Sequence, residues 1–267
     1  MQTVPQANKA YAIRALLLVF AAVAPLLSIL LIGAHLAVAF VPLFVSHLLL
    51  LYPTLVANCQ WWGPVMTRFR TAEREVWLTI DDGPSPTDTL KILEILKTFD
   101  AKATFFVIGE RAEKYPHLIT EILAQGHALA NHTHAHPSWS FWCLGPRRIA
   151  REIAACAETL RTTAERPAIY FRAPAGMKNF FVHSALAHRG LLLIGWTVRG
   201  LDTIGRDPLR VAERVEKDVV PGAIILLHEG KRTKREADFN PRCVELILQR
   251  LTARDYRFVI PNPEHLL

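Results

Sequence analysis

The longest absence in this sequence is of charge. From Ala15 to Ala57 there is no Asp, Glu, Lys or Arg. One helix needs only about 20 residues to cross the hydrocarbon core, so the run is about twice too long for a single span. It predicts two helices, about Ala15–Ile32 and Leu36–Val56, turning at Gly33-Ala34-His35. A cleaved signal peptide has an apolar core of about 7–15 residues, far shorter than this one. Cysteine is also scarce. Cys59, Cys143, Cys156 and Cys243 contain no Cys-x-x-Cys pair, which argues against a zinc knuckle or a disulfide framework. They read as reduced, buried thiols, with a Cys143–Cys156 bridge as the open alternative. No nucleic-acid motif, internal repeat or low-complexity linker is present. The net charge of +7 is therefore assigned to anionic lipid headgroups and not to nucleic acid.

What is present fits that reading. The 267 residues are 51% hydrophobic, ample for a membrane segment and a large core. Lys9 and Arg14 flank the start of the apolar run, Arg68, Arg70 and Arg74 follow its end, and the turn carries no cation. The positive-inside rule then places both ends, and the C-terminal domain, in the cytoplasm of a multi-pass protein of the bacterial inner membrane. A single tilted span with a re-entrant portion would reverse that orientation. Trp61 and Trp62 are expected as an interfacial aromatic anchor. His35 and His47 are expected as turn or helix-packing residues. The division is a tail over 1–14, a helical hairpin over 15–57, a linker over 58–73 and one domain over 74–267.

From about residue 72, short β-type runs alternate with helical periodicity. Val76–Ile80, Ala103–Ile108, His127–Asn131, Ile169–Arg172, Leu191–Trp196, Ala223–His228 and Arg257–Ile260 read as strands. Intervening helices of about 10–15 residues imply parallel pairing, and seven such strands suit an incomplete (β/α) barrel. Ionisable residues collect at the strand ends: Asp81-Asp82, the 132–136 histidines, Arg172, Asp202 and His228. Barrel-type α/β folds place their active sites there.

Two adjacent carboxylates repel, and a fold keeps them most readily beside a cation or when one takes a proton. An ordinary Asp-Asp-Gly turn is the other reading of Asp81-Asp82-Gly83. His132 and His136 are four apart, a spacing that on one helical turn points both side chains the same way. With Asp82 they form a candidate Asp-His-His metal site. Short His-x-x-x-His motifs also occur without metal. His134 falls on another face.

The chain resembles the polysaccharide deacetylases, the NodB-like family-four carbohydrate esterases, over about residues 74–260. The resemblance rests on Thr79-Ile80-Asp81-Asp82-Gly83-Pro84, His132-Thr133-His134-Ala135-His136, Arg172-Ala173-Pro174-Ala175-Gly176, Trp196 through Asp202, and Leu226-Leu227-His228. It implies a divalent metal, usually zinc, held by Asp82, His132 and His136. It implies Asp81 as general base oriented by Arg172, His228 as general acid aligned by Asp202, and the Ala175 backbone N–H as an oxyanion donor. Ile80 stands where Phe is usual and Glu229 where Asp is frequent. Ala173 and Ala175 replace a proline and an aromatic residue. The missing aromatic removes a wall of the sugar groove and leads away from a long polymer such as chitin or peptidoglycan.

The resulting expectation is a membrane-anchored, metal-dependent hydrolase. Its substrate would be the N-acyl amide, acetyl above all, of an amino sugar in a glycan or polyprenyl-linked saccharide. The alternatives are a deformylase or other non-peptide amide hydrolase on the same fold, and a non-catalytic, membrane-tethered glycan-binding protein. Loss of the base, a ligand or the acid would mark the last, and none is lost.

Overall fold

The computed structural model describes residues 4–33, 35–164, 167–230 and 238–267, with side chains from Asn8 onward. Ala34, in the expected hairpin turn, lies outside them. The chain begins with two apolar helices, α1 (Val4–Leu31) and α2 (Leu36–Leu55), which pack against each other. Both are long and apolar enough to cross a membrane. Their shared seam is built from small residues, with Ala24, Ser28, Ala39 and Ser46 buried, so the two backbones approach closely. Leu16, Leu30, Phe40 and Phe44 point outward, each at least 60% exposed. A surface this apolar needs a cover other than water.

The domain that follows is a parallel α/β sheet. Its strands are β1 (Glu75–Gly83), β2 (Ala103–Val107), β3 (Ala128–Asn131), β4 (Tyr170–Phe171), β5 (Leu192–Leu193), β6 (Val198–Arg199), β7 (Ala223–His228) and β8 (Arg257–Phe258). They are ordered β5-β4-β3-β2-β1-β7-β6, with β8 also on β1. Between them run α3 (Thr89–Thr98), α4 (Gly109–Lys114), α5 (Pro116–Ala124), α6 (Pro146–Ala164), α7 (Val182–Ala187), α8 (Pro208–Asp218) and α9 (Phe239–Thr252). This is the expected incomplete barrel, with β6 and α4 as elements the periodicity did not reveal. Both are too short to carry a pattern.

Strand alternation on β1 separates two of the three core clusters among the described residues. Val76, Leu78 and Ile80 of β1 face the helix layer with Ile92, Leu96, Val244 and Ile247. Trp77 faces the barrel interior with Phe106, Tyr170, Ile194 and Ile224. Asp81, two pleats beyond Trp77, shares that interior side.

Residues 58–73, expected to be a linker, are built into the domain. Met66 N donates to Leu193 O (2.9 Å), Gly195 N to Met66 O (2.8 Å) and Phe69 N to Gly222 O (3.0 Å), so the segment bridges the opening beside β5 and β7. Trp62 is not an interfacial anchor. It is 1% exposed, donates Nε1–H to Thr54 Oγ1 (3.1 Å) and lies 5.8 Å from the Phe180 ring. An indole buries fully where its single donor finds a partner. Trp61 is half-buried against Tyr52. The end of α2 is clasped by Lys178, whose Nζ donates to Val56 O (3.2 Å) and Ala57 O (2.6 Å). Burial pulls this ammonium down to about 8. The carbonyl end of a helix is where a cation is best received. The four cysteines are free thiols, three of them buried and Cys143 exposed.

Candidate active site

The site begins where β1 breaks its own rule. Neighbouring residues of a strand point to opposite faces, so Asp81 and Asp82 should separate. The β1–β2 register shifts between Asp81 and Gly83, and Asp82 takes φ 69°. This bulge re-aims Asp82, so that both carboxylates face one cleft. Both lie inside the strand's final turn of pleat and are 3% exposed. Gly83 leaves room at the exit, where a Cβ would press on the buried carboxyl end of Glu229. Arg111 donates Nη1–H to the Asp82 carbonyl and fixes the bulge from the other side.

The histidines do not lie on a helix. His132 to His136 form the loop after β3, turned by left-handed φ at Thr133 (67°) and His136 (50°). The loop brings the rings to a centroid distance of 4.7 Å, as a helical turn would have done. Backbone bonds hold it, from His132 N to Val107 O (3.0 Å) and from Gly109 N to Thr133 O (3.0 Å). His132 Nδ1 lies 2.8 Å from the Arg172 carbonyl, which can only accept, so Nδ1 carries the proton and Nε2 presents a lone pair. That lone pair is 3.1 Å from His136 Nε2 and 3.5 Å from Asp82 Oδ1, and His136 Nε2 is 3.1 Å from the same oxygen. His134 faces Glu113 instead, at 4.0 Å.

Asp82, His132 and His136 offer donor atoms that all lie within 4.8 Å of one another. Electron-rich donors crowded this closely are reconciled by a cation, and two imidazoles with one carboxylate suit a divalent ion with open positions. Burial opposes ionisation of Asp82. Positive charge on the neighbouring imidazoles of His132, His136 and His228 would outweigh it and hold the carboxyl below the usual range, the part that a bound cation takes when the rings are neutral. The residues present therefore fit the expected metal.

Arg172 follows β4 and runs into the barrel interior, 1% exposed. Its Nη1 donates to Asp81 Oδ1 (2.7 Å) and Thr79 Oγ1 (2.9 Å), its Nη2 to Gly195 O (2.8 Å) and its Nε to Ile194 O (3.3 Å). Phe106 covers its face at 4.1 Å. Burial pushes the guanidinium down from its ordinary value, and Asp81 opposes that shift. Asp81 is thereby held through Oδ1, leaving Oδ2 on the His132 side, 3.7 Å from Nε2.

The β1–β7 register pairs Asp81 with His228. Asp202 sits beyond β6, after Leu201 at φ 59°, and grips His228 twice. Its Oδ2 accepts from the His228 backbone N (2.7 Å) and its Oδ1 meets Nδ1 at 3.0 Å. Nε2 is left for the cleft. Burial alone would lower the His228 pKa, yet Asp202, then Asp81 and Asp82, raise it. Ala175 stands exposed at the rim with φ 53°, beside Gly176.

All eight expected residues except Arg172 and Asp202 border or reach one cleft of about 240 Å³, and those two stand directly behind Asp81 and His228. Sequence reasoning missed several lining groups. Trp139, 83% exposed, and Trp196 supply aromatic surface in place of the residue absent at position 175. An aromatic wall can come from any loop at the rim, which motif comparison does not show. Glu229, which stands where Asp is frequent, is fully buried, accepts from Thr89 Oγ1 (2.5 Å), and is pushed by burial up to about 8. The chain just past α2 also meets this rim: Asn58 Nδ2 donates to Trp196 O (2.8 Å), and a Cβ on Gly176 would lie 2.5 Å from Ala57 Cβ.

A family model described as polysaccharide deacetylase matches residues 69–193. The chain is 34% identical over 199 residues to a chitooligosaccharide deacetylase of Sinorhizobium fredii, covering 72% of this chain and 92% of that protein. It is 30% identical over 191 residues to a peptidoglycan-N-acetylglucosamine deacetylase of Bacillus cereus, covering 70% and 86%. Among solved structures, the peptidoglycan deacetylase PdaC from Bacillus subtilis superposes with a TM-score of 0.63 at 26% identity, over 70% of this chain and 88% of that one.

Proposed function

Because the chain belongs to the polysaccharide deacetylase family, hydrolases of non-peptide carbon–nitrogen bonds, we propose that it removes the N-acetyl group of an amino sugar in a glycan presented at a membrane surface. The observation that carries this reading is the convergence of Asp82, His132 and His136 in one cleft that Asp81 and His228 also line. Asp82, His132 and His136 would hold a divalent ion, and zinc is among those that accept this donor set. When bound, such an ion supplies Lewis acidity to the amide carbonyl and lowers the pKa of water.

The chain's own residues do the rest. Asp81 accepts the proton of the attacking water at Oδ2, while Arg172 fixes Oδ1 and keeps the carboxylate ionised. The N–H of Ala175 at the rim donates to the carbonyl oxygen as charge develops there. His228 gives the proton at Nε2 to the departing nitrogen as the C–N bond breaks. Asp202 holds the proton on Nδ1 and favours the charged imidazole. Acetate and a free amine result.

The contacts of Ala57 and Asn58 with the cleft rim support a substrate at the bilayer surface, a polyprenyl-linked saccharide being the natural form. The cations flanking the hairpin support a cytoplasmic domain. Acetate release from N-acetylglucosamine oligomers by the full chain in detergent tests the reaction. Activity should vanish with chelator and return with zinc. Chelator-insensitive turnover would refute the metal assignment. A reporter fused after Leu267 that is active only in the periplasm would overturn the topology.

A further inference from the structure

Ile204 stands exposed at the edge of the cleft. That residue also lines a second cavity of about 410 Å³, whose wall carries Arg206, Arg210 and Arg214. Arg199 stands exposed on the cleft side of the same partition. By local rules these arginines are badly placed. Arg210 and Arg214 are four apart on α8, where like charges repel. Arg206 and Arg210 flank the start of α8, the end at which a helix dipole disfavours cations. The first turn holds no acidic residue. The cap residue Asp207 is committed to the helix through Leu209 N (2.9 Å), and its other oxygen is 3.8 Å from Arg210 Nε.

Several arginines elsewhere in the domain are ion-paired. Arg148, Arg161, Arg242, Arg250 and Arg257 each meet a glutamate. Among the described residues, Arg199, Arg206 and Arg214 meet no carboxylate. The cavity shares Ile204 with the reaction cleft and sets three guanidinium groups, Arg206, Arg210 and Arg214, against the single carboxylate of Asp207, so its wall carries net positive charge and suits an anion.

We propose that this cavity is a subsite for a phosphate or diphosphate borne by the substrate, attached to the saccharide whose N-acetyl group lies at the Asp82–His132–His136 cluster. The proposal rests on the deacetylase reading and narrows its substrate class. Guanidinium forks match phosphate oxygens in pairs, and filling the site relieves the repulsion between Arg210 and Arg214. A lipid-linked sugar and a soluble sugar phosphate present the same group.

The test compares an N-acetylglucosamine oligomer with its 1-phosphate and with a polyprenyl-diphosphate-linked form, using the full chain in neutral detergent. The phosphorylated substrates should show a KM about tenfold lower, the strength of one to two charge-assisted hydrogen bonds. The Arg206→Gln/Arg210→Gln/Arg214→Gln variant should abolish that advantage and flatten its salt dependence. An advantage confined to the polyprenyl form would assign the preference to the lipid and overturn the proposal. So would equal KM values in the wild type, or an advantage that survives in the variant. Absence of turnover on every substrate would instead sink the deacetylase reading. Calorimetry with inorganic phosphate then decides the subsite independently: binding must weaken in the triple variant, and unchanged binding refutes it.

Discussion

Asp81→Asn separates catalysis from structure at the centre of the site. The substitution keeps the shape and leaves an amide oxygen to accept from Arg172 Nη1, where Oδ1 now accepts at 2.7 Å. What it removes is the charge opposite a guanidinium that is 1% exposed. Breaking one side of a buried ion pair costs about 3–5 kcal/mol. The lower end applies here, because Thr79 Oγ1, Ile194 O and Gly195 O still receive the other N–H groups. About 3 kcal/mol lowers the melting temperature of a domain this size by on the order of 10 °C. It leaves a protein of ordinary stability almost wholly folded at 25 °C. Loss of a general base costs about 10²–10⁴ in rate, far more than the unfolded fraction can explain. Thr79→Val is the control. It takes another acceptor from the same Nη1, costs about 1–3 kcal/mol, and leaves Asp81 charged, so kcat should fall much less than a hundredfold. The assay is acetate release per folded molecule, with melting followed in the same detergent. Comparable kcat losses in the two variants, or an active Asp81→Asn enzyme, would refute the assignment of Asp81 as base.

Two further outcomes follow from the titrating groups. Asp202 raises the His228 pKa, and the acid role needs the protonated ring, so Asp202→Asn should move the alkaline limb of the kcat–pH profile to lower pH. An unmoved limb would assign Asp202 a purely structural part. Glu229 is pushed from 4.5 up to about 8 by burial, so the folded state holds a proton that the unfolded state has released between those values. Stability is therefore full below about pH 4.5 and falls as pH rises toward 8, a loss of about 3 kcal/mol by pH 7 at 1.4 kcal/mol per pH unit. Glu229→Gln should remove that slope in melting curves, and parallel curves for the two proteins would contradict it.

The order of chemistry was legible in one dimension. Asp81-Asp82 ahead of Gly83-Pro84, the histidine pair, Arg172 and His228 are dense local signals, and strand-forming runs before each place them at strand ends. The charge-free run from Ala15 to Ala57 states its own requirement for an apolar surrounding through length alone. Helix and strand periods follow from which side chains must leave water, so the α/β alternation could be read without contacts.

Other features depended on partners distant in sequence. Whether Asp82 faces the cleft hangs on a bulge against β2. Whether His132 and His136 meet hangs on a loop bonded to Val107 and Gly109, and no helix is needed. Trp62 reads as an anchor by position and is buried because Thr54 and Phe180 reach it. The spacing of Arg206, Arg210 and Arg214 is visible in the sequence, but that they wall a cavity beside the cleft comes from how α8 packs. Sequence by itself determined the residue types and their order, because each follows from local composition. Tertiary structure decided their directions, pairing and neighbours, because strand register and loop closure bring together groups as far apart as Asp81 and His228.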